Sequence, residues 1–500
     1  MDTPALLHDL LDERAATAPD SPAVASHTGS LSYGRLADAS RGAATALRAK
    51  GVGRGARVLV KTENGLATAS AVYGASRLGA PFSVLHADVR GAPLEHVLQD
   101  SEPTVLVTDD ADAARTAASA HVSCLPPEAL LEPRAPGEST AAGGGPLPVD
   151  PVCLIYTSGT TALPKAVVST HQQLVFATRA IQERLRYRPD DLVYCPLPLS
   201  FDYGLYQLFL AAVSGAQVRL GSMAEAGPPL LRALRESGAT VFAGVPSVSD
   251  SLAWLLRRSQ GEKLSRLRLL TNTGAALSEK TRTALRAGLP NLSIQLMYGL
   301  TECKRATIMP PDGDLDRPDS SGVPLSDTEL TVVDDDGAPL PPGATGEIVV
   351  RGPHVMSGYW RRPELTARRF PRRDGLFPEL RTGDYGHLDE EGYLYFSGRH
   401  DDLYKERGFR VSCTEVEAAA LRLDGVTAAA VLPPTGDRGA VLTVVGEVPE
   451  EEVLERMCEQ IERFKVPRRC VRMDSLPTNG NGKFDRRLIT AHVEGRASTR

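Results

Sequence analysis

Directly after the apolar run Val152 to Tyr156 the chain reads Thr157-Ser158-Gly159-Thr160-Thr161-Ala162-Leu163-Pro164-Lys165. A strand that stops in small, hydroxyl-bearing residues can turn backbone N–H groups and hydroxyls toward phosphate oxygens, and the closing lysine adds a mobile point charge. The chemistry that suits this pattern is a grip on nucleotide phosphates. The same composition also makes ordinary solvated turns, so the rest of the chain must decide.

A length of 500 residues exceeds what one hydrophobic core organises. Strand-like runs such as Arg57 to Val60, Thr104 to Val107 and Val152 to Ile155 alternate with helical patterns, which predicts parallel sheets flanked by helices. Pro133 to Pro151, rich in Pro, Gly and Ala, reads as a surface connection. Leu174, Ile181 and Leu185 share a helical face across His171 to Leu185, and Asp202 to Val213 reads as a second helix that Asp202 could cap. From Leu330 the pattern turns to short strands with turns at Asp336-Gly337 and Pro342-Gly343. The expected fold is α/β: a large N-terminal domain (residues 1–400) of parallel-rich sheets flanked by helices plus a small β subdomain, and a mobile α+β C-terminal domain (residues 401–500).

The formal charge of −6 comes with no long basic run, so electrostatics gives no reason to expect a nucleic-acid or membrane partner. No apolar stretch approaches bilayer length, and Met1 to Asp20 lacks a basic-then-apolar signal pattern; a cytoplasmic location is expected. The 7 cysteines are scattered and suggest neither a zinc site nor a disulfide framework, only small apolar residues or reduced thiols.

Further segments follow in order: Leu31-Ser32-Tyr33-Gly34-Arg35-Leu36, the hydroxyl-rich loop, Thr273-Gly274-Ala275-Ala276-Leu277, Tyr298-Gly299-Leu300-Thr301-Glu302, Arg381-Thr382-Gly383-Asp384, Gly398-Arg399 and Pro477-Thr478-Asn479-Gly480-Asn481-Gly482-Lys483. In this order the chain resembles the adenylate-forming superfamily, which holds acyl- and aryl-CoA synthetases, adenylation domains of nonribosomal peptide synthesis and firefly-type luciferases. The resemblance covers nearly the whole chain and implies ATP and Mg2+ as cofactors. It assigns phosphate contacts to Thr157, Ser158, Gly159, Thr160, Thr161 and Lys165, and adenine contacts to Gly274, Ala275, Tyr298 and Gly299. Glu302, next to Thr301, becomes the metal candidate, since magnesium keeps several waters and needs only one or two carboxylates beside phosphate oxygens. Asp384 would accept the ribose hydroxyls with help from Arg399. Asp401 takes the hinge position, and Lys483, with Thr301 and Glu302, is a catalytic candidate. A lysine bridging the substrate carboxylate and the α-phosphate offsets the repulsion of two anions. Ala162 and Ala166 stand where the family usually has glycines, which removes easy access to positive φ.

Phe201-Asp202-Tyr203-Gly204 resembles the segment of amino-acid-activating members in which an aspartate binds the substrate ammonium. A buried aspartate facing a neutral acyl chain would be costly, so this residue argues for an amine-bearing acid unless it only caps its helix. The matched pocket comprises Tyr203, Tyr206, Ser247, Thr271, Thr273, Met297, Arg305 and Ala306, with Lys483 reaching the acid. Its bulky members leave room for a small side chain, while Arg305 could pair with an acidic substrate or with a protein carboxylate. The expected partners are this small carboxylic acid and a phosphopantetheine thiol, on a separate carrier protein or on coenzyme A. Asp250-Ser251-Leu252 and Asp474-Ser475-Leu476 lack the carrier context of roughly 80 residues, so a freestanding enzyme is expected. An acyl- or aryl-CoA ligase, a β-amino acid adenylation enzyme and a non-catalytic relative remain open alternatives.

Overall fold

The computed structural model describes residues 5–133, 145–157, 164–259, 264–373, 377–399, 403–406, 409–435, 438–461, 463, 465–478 and 484–497. The chain divides into two compact units, Met1–Leu330 with Val349–Arg381, and Thr331–Ile348 with Thr382–Arg500. In this division the small β subdomain falls with the C-terminal residues. The boundary placed near Asp401 lies outside the described residues.

The first unit is built on two sheets. In the 9-stranded sheet the order runs from Val323–Pro324 through Thr307–Ile308, Ser293–Tyr298, Leu269–Asn272, Val241–Gly244, Leu192–Cys195, Gln217–Leu220 and Pro22–Ser26 to Gly29–Ser32. It is parallel from Ser293–Tyr298 to Pro22–Ser26 and antiparallel at both margins. The 7-stranded sheet runs from Gly358–Tyr359 through Lys165–Thr170, Pro151–Thr157, Phe82–Val84, Val58–Lys61 and Val105–Thr108 to Ser123–Leu125. Strands Val58–Lys61, Val105–Thr108 and Val241–Gly244 are buried at every position, as parallel strands covered on both faces must be. One apolar core joins Leu11, Tyr33, Phe82, Leu174, Phe209 and Val241.

Local signals account for the helix ends. His171–Leu185 starts at a capping box in which Thr170 and Gln173 satisfy each other's backbone N–H groups. Helix Asp202–Ser214 is buried almost all round and stops at Gly215. At its start a Cβ on Gly204 would meet the Pro198 carbonyl at 2.5 Å, so only glycine lets the helix approach the preceding backbone.

The second unit carries the greater part of a 4-stranded sheet of Glu329–Val333, Gly346–Arg351, Leu380–Leu388 and Leu394–Arg399. It also has a 3-stranded sheet of Val426–Leu432, Val441–Gly446 and Arg469–Arg472, packed with helix Cys413–Leu421. All 7 cysteines are free; Cys458 is exposed and Cys124 half-buried, while the others are buried. Among the described residues no helix is long and apolar enough to cross a membrane.

Buried histidines give the first unit an acid-sensitive seam. Nδ1 of His171 accepts the Leu7 N–H at 3.1 Å, which requires the unprotonated ring, and its centroid lies 6.3 Å from that of His8. Burial pulls both rings from the ordinary 6.5 to about 4, and does the same to His354. Protons bind the unfolded chain first, so the stability these rings contribute is complete above pH 6.5 and is lost as pH falls toward 4. The melting temperature is expected to drop across that window. His171→Asn, which keeps an acceptor but cannot take a proton, should flatten part of the drop; an unchanged acid slope would refute the assignment.

Candidate functional site

The hydroxyl-rich loop connects two antiparallel strands, Pro151–Thr157 and Lys165–Thr170, whose register places Thr157 opposite Lys165. Ser158, Gly159, Thr160, Thr161 and Ala162 lie outside the described residues. Ala166 sits inside the second strand, paired with Tyr156, and its φ is not positive, so alanine is not strained there. The expected loss at that position is thereby corrected.

Lys165 places its ammonium 4.1 Å from the ring centroid of Tyr359, and the Tyr359 hydroxyl donates to Oε1 of buried Glu302 at 2.6 Å. Burial and the Glu302 charge push the Tyr359 hydroxyl well above its usual range, keeping it a donor. No helix follows Glu302: residues 301–303 form a turn, and a Cβ on Gly299 would meet the Lys304 carbonyl at 2.2 Å. The chain therefore doubles back tightly, which buries Glu302 while Thr301 stays half-buried. Among the described residues no group of three or more His, Cys, Asp or Glu could enclose a metal. A single held carboxylate suits an ion completed by phosphate oxygens and water.

The adenine candidates sit at strand ends. Tyr298 closes strand Ser293–Tyr298 and is buried, while Gly274 and Ala275 are exposed just beyond strand Leu269–Asn272. The Asn272 side-chain amide donates to the Ala275 carbonyl at 3.0 Å and fixes the bend.

Of the expected pocket residues, Asp202, Tyr203, Thr271 and Arg305 meet one another. Asp202 is 5% exposed and is the first helical residue; Phe201 is the N-cap and gives no side-chain cap bond. Among the described residues no hydrogen bond reaches the Asp202 carboxylate, and the Arg305 guanidinium lies 3.6 Å from it. The Tyr203 hydroxyl bonds Thr271, donating to its carbonyl at 2.8 Å, and the Arg305 guanidinium lies 4.8 Å over the Tyr203 ring. Tyr206, Thr273, Met297 and Ala306 are buried, whereas Ser247 is exposed on its helix.

In the second unit, Asp384 and Arg399 are register partners, with Nε of Arg399 3.4 Å from the Asp384 carboxylate. Asp401 and Lys483 lie outside the described residues. Two residues of the first unit escaped the sequence reading. Tyr359 is 57 positions from its partner Glu302, and no local pattern announces the pair. Lys304, 0% exposed, had only its place beside Arg305 to mark it.

Comparison with known proteins agrees with this geometry. The AMP-binding enzyme model matches residues 11–360, and the AMP-binding enzyme C-terminal domain matches residues 415–483. Indoleacetate–CoA ligase of Aromatoleum aromaticum is 31% identical over 95% of this chain and 96% of its own length. L-proline–[L-prolyl-carrier protein] ligase of Streptomyces coelicolor is 31% identical over 92% of this chain and 91% of its own. The structure of VinN in complex with L-aspartate is 39% identical, with a TM-score of 0.70 over 79% of this chain and 98% of that one. Tyrocidine synthase 2 of Brevibacillus parabrevis is 29% identical over 99% of this chain, which spans only 14% of that protein. With both family regions matched, the chain belongs to the adenylate-forming, AMP-binding enzyme family.

Proposed function

We propose that this chain activates a small amino acid with ATP and magnesium, forming aminoacyl-AMP and pyrophosphate, and then passes the aminoacyl group to the phosphopantetheine thiol of a separate carrier protein. Asp202 carries the reading. Its carboxylate is buried, makes no cap bond and keeps its hydrogen-bonding capacity open, which suits a substrate ammonium. The names of the L-proline carrier-protein ligase and of the VinN complex with L-aspartate support it; the CoA ligase among the relatives keeps coenzyme A as the competing acceptor.

In this reading a substrate carboxylate oxygen attacks the α-phosphorus and the bond to pyrophosphate breaks. The thiol sulfur then attacks the acyl carbon and AMP leaves. Lys483 would bridge the two anions of the first step, Asp384 and Arg399 would hold the ribose, and Glu302 would hold the metal. Asp401 is the proposed pivot between a core of residues 1–400 and the small domain after it. Calorimetry with a non-hydrolysable ATP analogue tests the anchor: an amino acid should bind, and its deaminated counterpart should bind at least tenfold more weakly. Equal binding would refute it.

Tyr359→Phe removes the hydroxyl that donates to Glu302. Losing one hydrogen bond to a charged group corresponds to about a tenfold effect. The half-saturating magnesium concentration in pyrophosphate exchange should rise by about that factor, and an unchanged value would remove Tyr359 from the site.

A further inference from the structure

The residues around Asp202 hold more buried hydrogen-bond donors than they satisfy. Lys304 is 0% exposed, and its Nζ has no hydrogen-bond partner. Its backbone adopts φ +61°, a left-handed conformation uncommon for a long side chain and one that surroundings must enforce. The Nζ lies 5.8 Å from the ring centroid of Tyr206, whose buried hydroxyl also lacks a partner. Nε of Arg305 is likewise unsatisfied, and its guanidinium stands 3.6 Å from Asp202.

Asp202 and Glu302 are the carboxylates near these cations, and neither accepts a hydrogen bond from Lys304 Nζ or Arg305 Nε. Glu302 is nearby but is already held by Tyr359. Buried charges are retained only when paired, and a cluster of unpartnered donors is a site waiting for an acceptor. A zwitterion with a neutral side chain would occupy Asp202 with its ammonium and leave the cations unanswered.

Resting on the amino-acid reading above, we propose that this pocket selects an amino dicarboxylic acid. Asp202 takes the ammonium, one carboxylate is activated, and the second carboxylate is received by Lys304 and Arg305 with the Tyr206 hydroxyl as a further donor. Neutral amino acids of the same shape leave those donors desolvated and unpaired, which is the source of discrimination.

The test is pyrophosphate exchange by the whole protein with aspartate and glutamate, each against its amide, together with alanine and with succinate and glutarate. At least one amino dicarboxylic acid should exceed its amide by about a hundredfold or more in kcat/KM. Lys304→Met should compress that ratio at least tenfold, chiefly through KM, with Lys304→Arg restoring part of it. Amides or alanine used as well as the acids would overturn the proposal and leave the amino-acid reading standing. Succinate or glutarate used as well as the amino acids would overturn the amino-acid reading and leave the second-carboxylate subsite. An unchanged ratio in Lys304→Met would overturn the role of Lys304, and no exchange with any member would overturn both readings. The wild-type ratios decide the matter even if the variants fail to fold.

Discussion

Asp202→Asn is expected to lower kcat/KM for the amino acid by about 10²–10³-fold, because one partner of a buried ion pair disappears while the substrate ammonium still has to leave water. The substitution keeps the shape of the side chain, so helix Asp202–Ser214 should survive, and with no cap bond to lose its start is not weakened. Arg305 and Lys304 would lose one negative neighbour, so melting temperature must be measured alongside. A loss confined to amine-bearing acids marks an ammonium anchor. A loss shared by the deaminated analogues, or a large fall in melting temperature, marks a structural residue.

Lys483→Ala carries the second large effect. A lysine that bridges two anions acts as they approach, so adenylate formation should slow by roughly 10²-fold or more while ATP binding changes little. Single-turnover formation of the adenylate and a separate ATP titration resolve the two. Thioester formation from supplied aminoacyl-AMP gives a third reading: it should proceed near the wild-type rate if Lys483 serves only the first step. Unaltered adenylate formation would take Lys483 out of the mechanism.

What was legible in the sequence was whatever short-range chemistry controls. Thr170 and Gln173 sit three residues apart and set the start of helix His171–Leu185 at its expected residue. The all-apolar strands declared themselves by composition, and the turn glycines Gly337 and Gly343 have the positive φ of 85° and 82° that their turns require. Asp384 and Arg399, read as one sugar-binding pair, are cross-strand neighbours. The site's finer physics depends on distant residues. Tyr359 meets Glu302 because the Gly358–Tyr359 strand pairs with Lys165–Thr170, a register no window of sequence contains. Lys304 follows Cys303 in a polar stretch that reads as surface, yet the reversal at Gly299 turns it inward. Asp202, open to reading as a helix cap, stands one residue too late to be one.

The measurement that tests the central claim most directly is substrate-dependent ATP–pyrophosphate exchange across α-amino acids, β-amino acids, aryl acids and fatty acids. Exchange confined to amine-bearing acids of small size is the predicted result. Exchange driven as well or better by amine-free acids would contradict it and make the chain an acyl- or aryl-CoA ligase.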